Sequence, residues 1–182
     1  MFFDTSRFAL TAPLEQNWQR ILAEYETIRH AIVDWRGRSL YDEGWKTFAL
    51  YEFPNGEPLP DNLARCPFTD ALVRAHIPRH GVIGFSILRP HTRVKPHQDM
   101  PDQYVRAQLA LKVPEGDSGI KVNGVVRRLE PGRVMAFDHS AWHEVWNLTD
   151  EERVVLIFDF VPEPGSVKPE AGWQCAGAAS PA

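Results

Sequence analysis

From residue 81 onward, the chain reads as a series of short strands separated by turn residues. The segments are GVIGFSILR, YVRAQLALKV, GIKVNGVVRRL, GRVMAFD, WHEVWNL and RVVLIFDFV. Asn123-Gly124, inside the third segment, predicts a type I′ hairpin because both residue types tolerate positive φ. So closely spaced a series predicts a mainly β fold, either a sandwich or a jelly roll, with flanking α-helices.

The first 80 residues are predicted to form a mostly helical support. Apolar residues recur at helical spacing from Leu14 to Trp35, with Thr11 and Pro13 as start signals, which predicts one amphipathic helix. The stretch SLYDEGWKTFALYEF then predicts a strand that ends in a turn at Pro54-Asn55-Gly56. A second, short helix is expected from Phe68 to Ile77.

A chain of 182 residues is long enough for one hydrophobic core, so a single domain over 1–182 is expected. We divide it into the helical support (about 1–80), a β core (about 81–161) and an irregular tail (about 162–182). The tail is rich in Pro, Gly and Ala and shows no periodicity.

Charge and composition exclude several classes of partner. The net charge is -4 and no block of Lys and Arg occurs, which argues against a nucleic-acid partner. We expect no membrane span, and the apolar N-terminus lacks the charge pattern of a secretory signal. Cys66 and Cys175 form neither a disulfide framework nor a zinc ribbon, which favours a reducing, cytoplasmic location. Nothing in the sequence indicates the oligomeric state.

The segment RPHTRVKPHQDMP carries the clearest chemical signal. On a strand, residues i and i+2 face the same side, so His97 and Asp99 can direct an imidazole and a carboxylate to one point. His143, in FDHSAWHEVWN, is a candidate third ligand from a later strand. Two histidines and one carboxylate leave coordination positions open, which suits non-haem Fe(II) oxygenases better than structural zinc.

Spacing alone leaves other interpretations open. A single His-x-Asp also fits a salt bridge in a loop, and His143 alone fits an ordinary buried histidine. His139 and His91 are rival third ligands.

Basic and polar residues on two strands could hold an anion. Arg153 opens the apolar run RVVLIFDF, so it is either an exposed strand end or an anion anchor. Arg106 and Gln108 share one face of their strand, which faces either solvent or an interior ligand, because unpaired polar groups are costly to bury. An oxygenase that uses 2-oxoglutarate needs such an anchor, and arginine serves best because its fork is bidentate.

The chain resembles the aspartyl/asparaginyl β-hydroxylase family of Fe(II)- and 2-oxoglutarate-dependent dioxygenases. The matching pieces occur in the family's order and spacing over roughly Gly81 to Phe160. They are FSILRPHTRVKPHQD, VRAQLALKVPEG, PGRVMAFDHSAWHEVWN and RVVLIFDF. The resemblance implies a double-stranded β-helix, the cupin-like form of the jelly roll.

The resemblance also implies roles for individual residues. His97 and His143 would be iron ligands, and Asp99, which some relatives lack, would complete the metal triad. Arg153 would anchor the distal carboxylate of 2-oxoglutarate, with Ser86 and Arg106 as further contacts. Gln108 stands where the family often has histidine, and it can hydrogen-bond but carries no charge. His139 stands where relatives carry aspartate, which argues against it as a ligand.

The implied activity is hydroxylation of an unactivated C–H bond with Fe(II), 2-oxoglutarate and O₂, giving succinate and CO₂. The expected substrate is amino-acid-like or a peptide, attacked at its β-carbon. Alternatives are a cupin-type metalloenzyme that does not use 2-oxoglutarate and a metal-free jelly-roll binding domain. The candidate residues for a substrate pocket, chosen for their proximity to the motifs, are Trp45, Arg93, Lys95 and Trp142.

Overall fold

The structure is a computed structural model that describes residues 1–52 and 55–169. The strands in these residues are β1 (Phe2–Phe3), β2 (Val33–Asp34), β3 (Trp45–Glu52), β4 (Glu57–Pro58), β5 (His80–Leu88), β6 (Thr92–His97), β7 (Val105–Lys112), β8 (Ser118–Val122), β9 (Val125–Arg127), β10 (Val134–Phe137), β11 (His143–Asn147) and β12 (Arg153–Phe160). The α-helices are α1 (Thr11–Gln16), α2 (Trp18–Ile28), α3 (Pro60–Leu63) and α4 (Pro67–His76). Short 3₁₀ helices cover Thr5–Arg7, Arg29–Ala31 and Arg38–Leu40.

Two antiparallel sheets form the body of the molecule. The main sheet has eight strands in the order β1-β10-β7-β12-β5-β3-β2, with β4 beside β3. The minor sheet has four strands in the order β6-β11-β8-β9. Side chains from both sheets pack together, as where Val94 of β6 joins Leu88 of β5. The predicted mainly β jelly roll is therefore confirmed.

The helices cover the other face of the main sheet. Val154, Leu156 and Phe158 of β12 face the helices and share the largest core cluster with Ile21 and Tyr25 of α2. Val155 and Ile157, at alternate positions, face the minor sheet, where they line a pocket. Full burial of each such side chain contributes roughly 1.5–3 kcal/mol. The strand β12 is thus buried on both faces, which explains its unbroken apolar sequence.

The predicted single helix from Leu14 to Trp35 is wrong in its extent. The segment divides at Asn17, whose backbone leaves helical geometry (φ -115°, ψ 10°) and whose side-chain amide donates to the Pro13 carbonyl. The chain then becomes extended, and Trp35 stacks on Trp45 with ring centroids 4.6 Å apart. The apolar spacing continued past the helix end because the later side chains bury against the sheet.

Other local predictions are confirmed. Asn123 and Gly124 have φ of 46° and 81° and connect β8 to β9, as a type I′ hairpin requires. The predicted second helix appears as α4, and α1 begins at Thr11 as expected.

The remaining predictions concern the extent of the β core, the tail and the cysteines. Three strands from the first 52 residues join the main sheet, so the β core also draws on the segment predicted as support. Cys66 is buried and unbridged. Cys175, Pro54 and residues 170–182 of the predicted tail lie outside the described residues. In the part that is described, no helix has the length and apolarity to cross a bilayer.

Candidate active site

Two histidines face each other between neighbouring strands of the minor sheet. His97 ends β6, His143 begins β11, and the two are directly paired, with ring centroids 4.2 Å apart. The Nδ1 of His97 donates to the Lys95 carbonyl at 2.7 Å, and the Nδ1 of His143 donates to the Ala141 carbonyl at 2.9 Å. A carbonyl only accepts, so the proton of the neutral imidazole form lies on Nδ1 in each ring and a lone pair is left on Nε2.

A β-bulge turns His97 toward the interior. Val94 pairs with Val145 and His97 with His143, so β6 takes three steps where β11 takes two. His97 is three positions after the inward-facing Val94, so strict alternation would put it on the outer face with the exposed Lys95. The bulge accommodates the one additional residue of β6 and returns His97 to the inner face. Pro96 lies within this bulge, where its missing N–H costs no ladder hydrogen bond.

Asp99 completes a group of three candidate metal ligands. One ligand atom each from His97, Asp99 and His143 lies within 4.8 Å of the others. The strand argument for Asp99 was wrong in detail, because β6 ends at His97 and Asp99 lies in the following loop. There its backbone N–H donates to the His139 carbonyl at 3.1 Å.

The environment of Asp99 favours its charged form. Its Oδ2 contacts Nη1 of Arg106 and lies 3.4 Å from Nδ1 of His139. Within the described residues, Oδ1 has no hydrogen bond or ion pair. Burial alone would raise the pKa of Asp99, but the contact with His139 and the charge of Arg106 hold it well below its usual range.

Whereas Asp99 is held in its charged form, the buried position of His143 favours the uncharged form of its ring. Desolvation lowers its pKa to about 4, so its ring is neutral at physiological pH. Neutral imidazole is the form that binds metals.

The rival histidines lie in other environments. His91 pairs with Asp150 on the surface at 2.9 Å. His139 is buried, and its Nε2 lies 3.2 Å from Oδ1 of Asp102. Neither belongs to the group of three ligand atoms.

Arg106 is buried between two carboxylates. Its Nε and Nη2 each donate to Asp159 at 2.8 Å, and its Nη1 pairs with Asp99. Asp159 was not predicted as a site residue. The available signal was a single acid inside the apolar run LIFDF, since a buried charge requires a partner.

Arg153 is also buried, but it has no carboxylate partner within the described residues. Only 2% of its surface is exposed, which excludes the surface interpretation. Its Nη1 donates to the Gly119 carbonyl at 3.0 Å and its Nη2 to Oε1 of Gln108 at 2.9 Å. Its Nε has no partner there, and desolvation lowers its pKa to about 9.

One pocket joins these groups. Its polar lining is His97, His143, Arg106, Arg153, Gln108, Ser86 and Trp45. Its apolar lining is Leu88, Val94, Phe137, Val145, Val155 and Ile157. The Nε1 of Trp45 donates to Oγ of Ser86 at 2.9 Å.

Of the candidate substrate residues, Trp45 alone lines this pocket. Arg93 and Lys95 are exposed, and 56% of the Trp142 surface is accessible. Gln108 and Arg106 both face the interior, so the alternative that their face meets solvent is wrong.

Comparison with known proteins identifies relatives of this chain. The chain is 34% identical to an ornithine lipid ester-linked acyl 2-hydroxylase of Rhizobium tropici, over 87% of this chain and 59% of that protein. It is 29% identical to the aspartyl/asparaginyl beta-hydroxylase of Mus musculus, over 86% of this chain and 22% of that protein. The chain therefore spans less than two thirds of the length of these curated relatives.

Solved structures and family models complete the comparison. The crystal structure of a Pseudomonas putida prolyl-4-hydroxylase matches with a TM-score of 0.54 and 17% identity, over 82% of this chain and 88% of that one, which shows a shared fold. A family model described as aspartyl/asparaginyl beta-hydroxylase matches residues 15–162. The chain belongs to the aspartyl/asparaginyl β-hydroxylase family.

Proposed function

We propose that this protein is an Fe(II)- and 2-oxoglutarate-dependent hydroxylase. The observation that carries the proposal is the buried guanidinium of Arg153, which has no carboxylate partner in the described residues and lines the same pocket as His97 and His143. A buried charge is costly unless it is paired, so the pocket is suited to an anion. A dicarboxylate that reaches from Arg153 to a metal at the histidines would satisfy both ends.

His97, Asp99 and His143 would hold the iron. Two imidazoles with free Nε2 atoms and a carboxylate with a free Oδ1 form the donor set that suits Fe(II) with open positions. The hydrogen bonds of both Nδ1 atoms to backbone carbonyls fix the tautomer and the ring orientation. When bound, the iron with 2-oxoglutarate and O₂ supplies the oxidising chemistry that hydroxylates a C–H bond and releases succinate and CO₂.

Arg153, Ser86 and Gln108 would bind the far carboxylate of 2-oxoglutarate. Arg153 offers charge-assisted hydrogen bonds from a rigid fork. The Oγ of Ser86 already accepts from Trp45, so its own hydroxyl proton remains for the ligand. The Oε1 of Gln108 already accepts from Arg153, so its amide group remains a donor. Apolar walls around these groups exclude water and strengthen each contact.

The proposed substrate is an amino-acid-like molecule or a peptide, hydroxylated at a β-carbon. The names of the two relatives describe an acyl 2-hydroxylase and an aspartyl/asparaginyl β-hydroxylase. Carbon 2 of an acyl ester and the β-carbon of an aspartyl residue are both bonded to a carbonyl carbon. We therefore extend the proposal to a C–H bond next to a carbonyl group, with an acyl lipid as the second substrate class to test.

The test is turnover by the purified protein with Fe(II), 2-oxoglutarate and a panel of amino acids, peptides and acyl lipids. Succinate formation and a gain of one oxygen atom in the substrate are the expected results. Arg153→Met should abolish succinate formation, whereas Arg93→Met, at an exposed arginine of β6, should not. Metal binding without succinate from any substrate would favour a cupin-type enzyme, and failure to bind iron would favour a metal-free binding domain.

A further inference from the structure

A chain of ionic contacts leads from the main sheet to the candidate metal ligand Asp99. Arg106 on β7 and Asp159 on β12 are cross-strand neighbours and form a bidentate pair with both distances at 2.8 Å. Both residues are buried, with 9% and 3% of their surfaces exposed. Two parallel hydrogen bonds fix the plane of the guanidinium, so its remaining nitrogen, Nη1, has a fixed position next to Asp99.

Asp99 depends on such support because the sheet does not hold it. It lies in the loop between β6 and β7, and 28% of its side chain is exposed. Its Oδ2 contacts Arg106 and lies 3.4 Å from His139, whose other ring nitrogen lies 3.2 Å from Asp102. These contacts leave Oδ1 for the metal, just as each ligand histidine has one anchored nitrogen and one free.

We propose that Asp159 and Arg106 are positioning residues for the metal site: Asp159 fixes Arg106, and Arg106 with His139 orients the Asp99 carboxylate. The inference rests on the proposed role of Asp99 as a metal ligand. Outer contacts of this kind orient ligating groups and typically change metal affinity by about 10–100-fold when they are removed. Asp159 also balances the charge of Arg106, which reduces the competition between Arg106 and the metal for Asp99.

This assignment changes the expected role of Arg106. The family resemblance implied that Arg106 contacts 2-oxoglutarate. Each of its three nitrogens already has a carboxylate oxygen, whereas Arg153 has none within the described residues. Arg106 therefore serves Asp99, and Arg153 serves the co-substrate.

The first experiment measures Co(II) affinity of the purified full chain by titration. Asp159→Asn keeps the side-chain shape and removes the charge, and we expect it to weaken Co(II) binding about 10-fold. Asp70→Asn is the matched control, because Asp70 also pairs with an arginine, Arg74 at 2.9 Å, but lies on α4. The control should bind Co(II) like the parent.

A double-mutant cycle separates positioning from a general structural effect. In an Asp99→Ala background, Asp159→Asn should cause no further loss of Co(II) affinity, and its visible Co(II) spectrum should match that of Asp99→Ala. An equal loss in both backgrounds, or an unchanged affinity in folded Asp159→Asn, would overturn the proposal. If Asp159→Asn does not fold, His139→Gln is tested in the same cycle with the same expected coupling.

The outcomes also distinguish this inference from the proposed function. If the parent binds Co(II) through Asp99 but forms no succinate, the positioning role of Asp159 and Arg106 stands and the proposed 2-oxoglutarate-dependent activity is wrong. If the parent hydroxylates a substrate and Asp99→Ala keeps full metal affinity, the proposed activity stands and the positioning role is wrong.

Discussion

His97 and His143 are paired directly across two antiparallel strands, and their ring centroids are 4.2 Å apart. The strand register sets the distance between the two rings. Each ring orientation is set locally, by a hydrogen bond to the carbonyl two residues earlier in its own segment. The geometry of the candidate metal site therefore depends on the register in which His97 pairs with His143.

Deletion of Pro96 should remove the bulge but keep metal binding. Without the extra residue, His97 lies two positions after Val94, so simple alternation keeps both side chains on the inner face and keeps His97 opposite His143. Pro96→Ala keeps the residue count and the bulge, and it should also bind Co(II) like the parent. Metal titration with circular dichroism checks both variants, and loss of Co(II) binding by a folded deletion variant would show that the bulge itself is required.

His143→Ala should weaken metal binding by at least about 100-fold and abolish turnover, because it removes one of the three candidate ligands. His139→Ala should retain turnover, with at most a few-fold weaker metal binding through its contact with Asp99. Isothermal titration and succinate assays compare the two. Equal losses in the two folded variants would contradict the choice of His143 over His139.

Arg153→Lys should weaken 2-oxoglutarate binding by about 1.5–3 kcal/mol, because a single ammonium replaces a planar fork that makes two charge-assisted hydrogen bonds. Metal affinity should stay unchanged. Titration of 2-oxoglutarate into the metal-loaded protein measures the loss, with Arg93→Lys as the exposed control. An unchanged affinity would remove Arg153 as the anchor and favour Arg106.

Asp99→Ala should weaken metal binding and reduce turnover steeply without abolishing it, and excess Fe(II) should restore part of the activity. The reason is that the carboxylate partly neutralises the metal, while both histidines remain. His97→Ala should reduce both metal affinity and turnover more than Asp99→Ala does. Metal titration and succinate formation, side by side, test this order, and parent-like behaviour of Asp99→Ala would exclude it as a ligand.

The metal-free protein should be most stable near pH 6.5. The pKa of His143 is lowered to about 4, so between pH 6.5 and 4 the unfolded chain binds a proton that the folded protein does not, and stability falls as pH falls. The contact with Asp99 raises the pKa of His139, so its stabilising contribution is complete below pH 6.5 and is lost as pH rises through the folded value.

Urea unfolding of chelator-treated protein from about pH 5 to 8.5 measures this profile. His139→Asn should flatten the alkaline side and leave the acid side unchanged. A parent whose free energy of unfolding is constant over this range would contradict both assignments.

The features that could be predicted from the sequence are those that depend on local patterns of residues. Alternating apolar residues identified the strands, and Asn123-Gly124 identified the hairpin, because these signals arise within a few residues. The division of the first helix at Asn17 was missed because apolar spacing continued beyond it. In the site, the motif gave the residue types, but the inward turn of His97 arises from a register shift between β6 and β11. Such a shift is a property of two distant segments.

The partner of Arg106 was missed for the same reason. Asp159 and Arg106 lie 53 positions apart in sequence and become neighbours only through the pairing of β7 with β12. A lone acid in an apolar strand indicates that a partner exists but does not say which residue it is.

The pocket is bounded on opposite sides by different sheets: Arg153 and Ser86 belong to the main sheet, and His97 and His143 belong to the minor one. A ligand that bonds to both sides therefore acts as a cross-link between the two layers. Separation of the layers would require its release, so occupancy should raise the free energy of that opening. Amide hydrogen exchange should then slow together in β12 and β11, two strands that belong to different sheets and are not paired with each other.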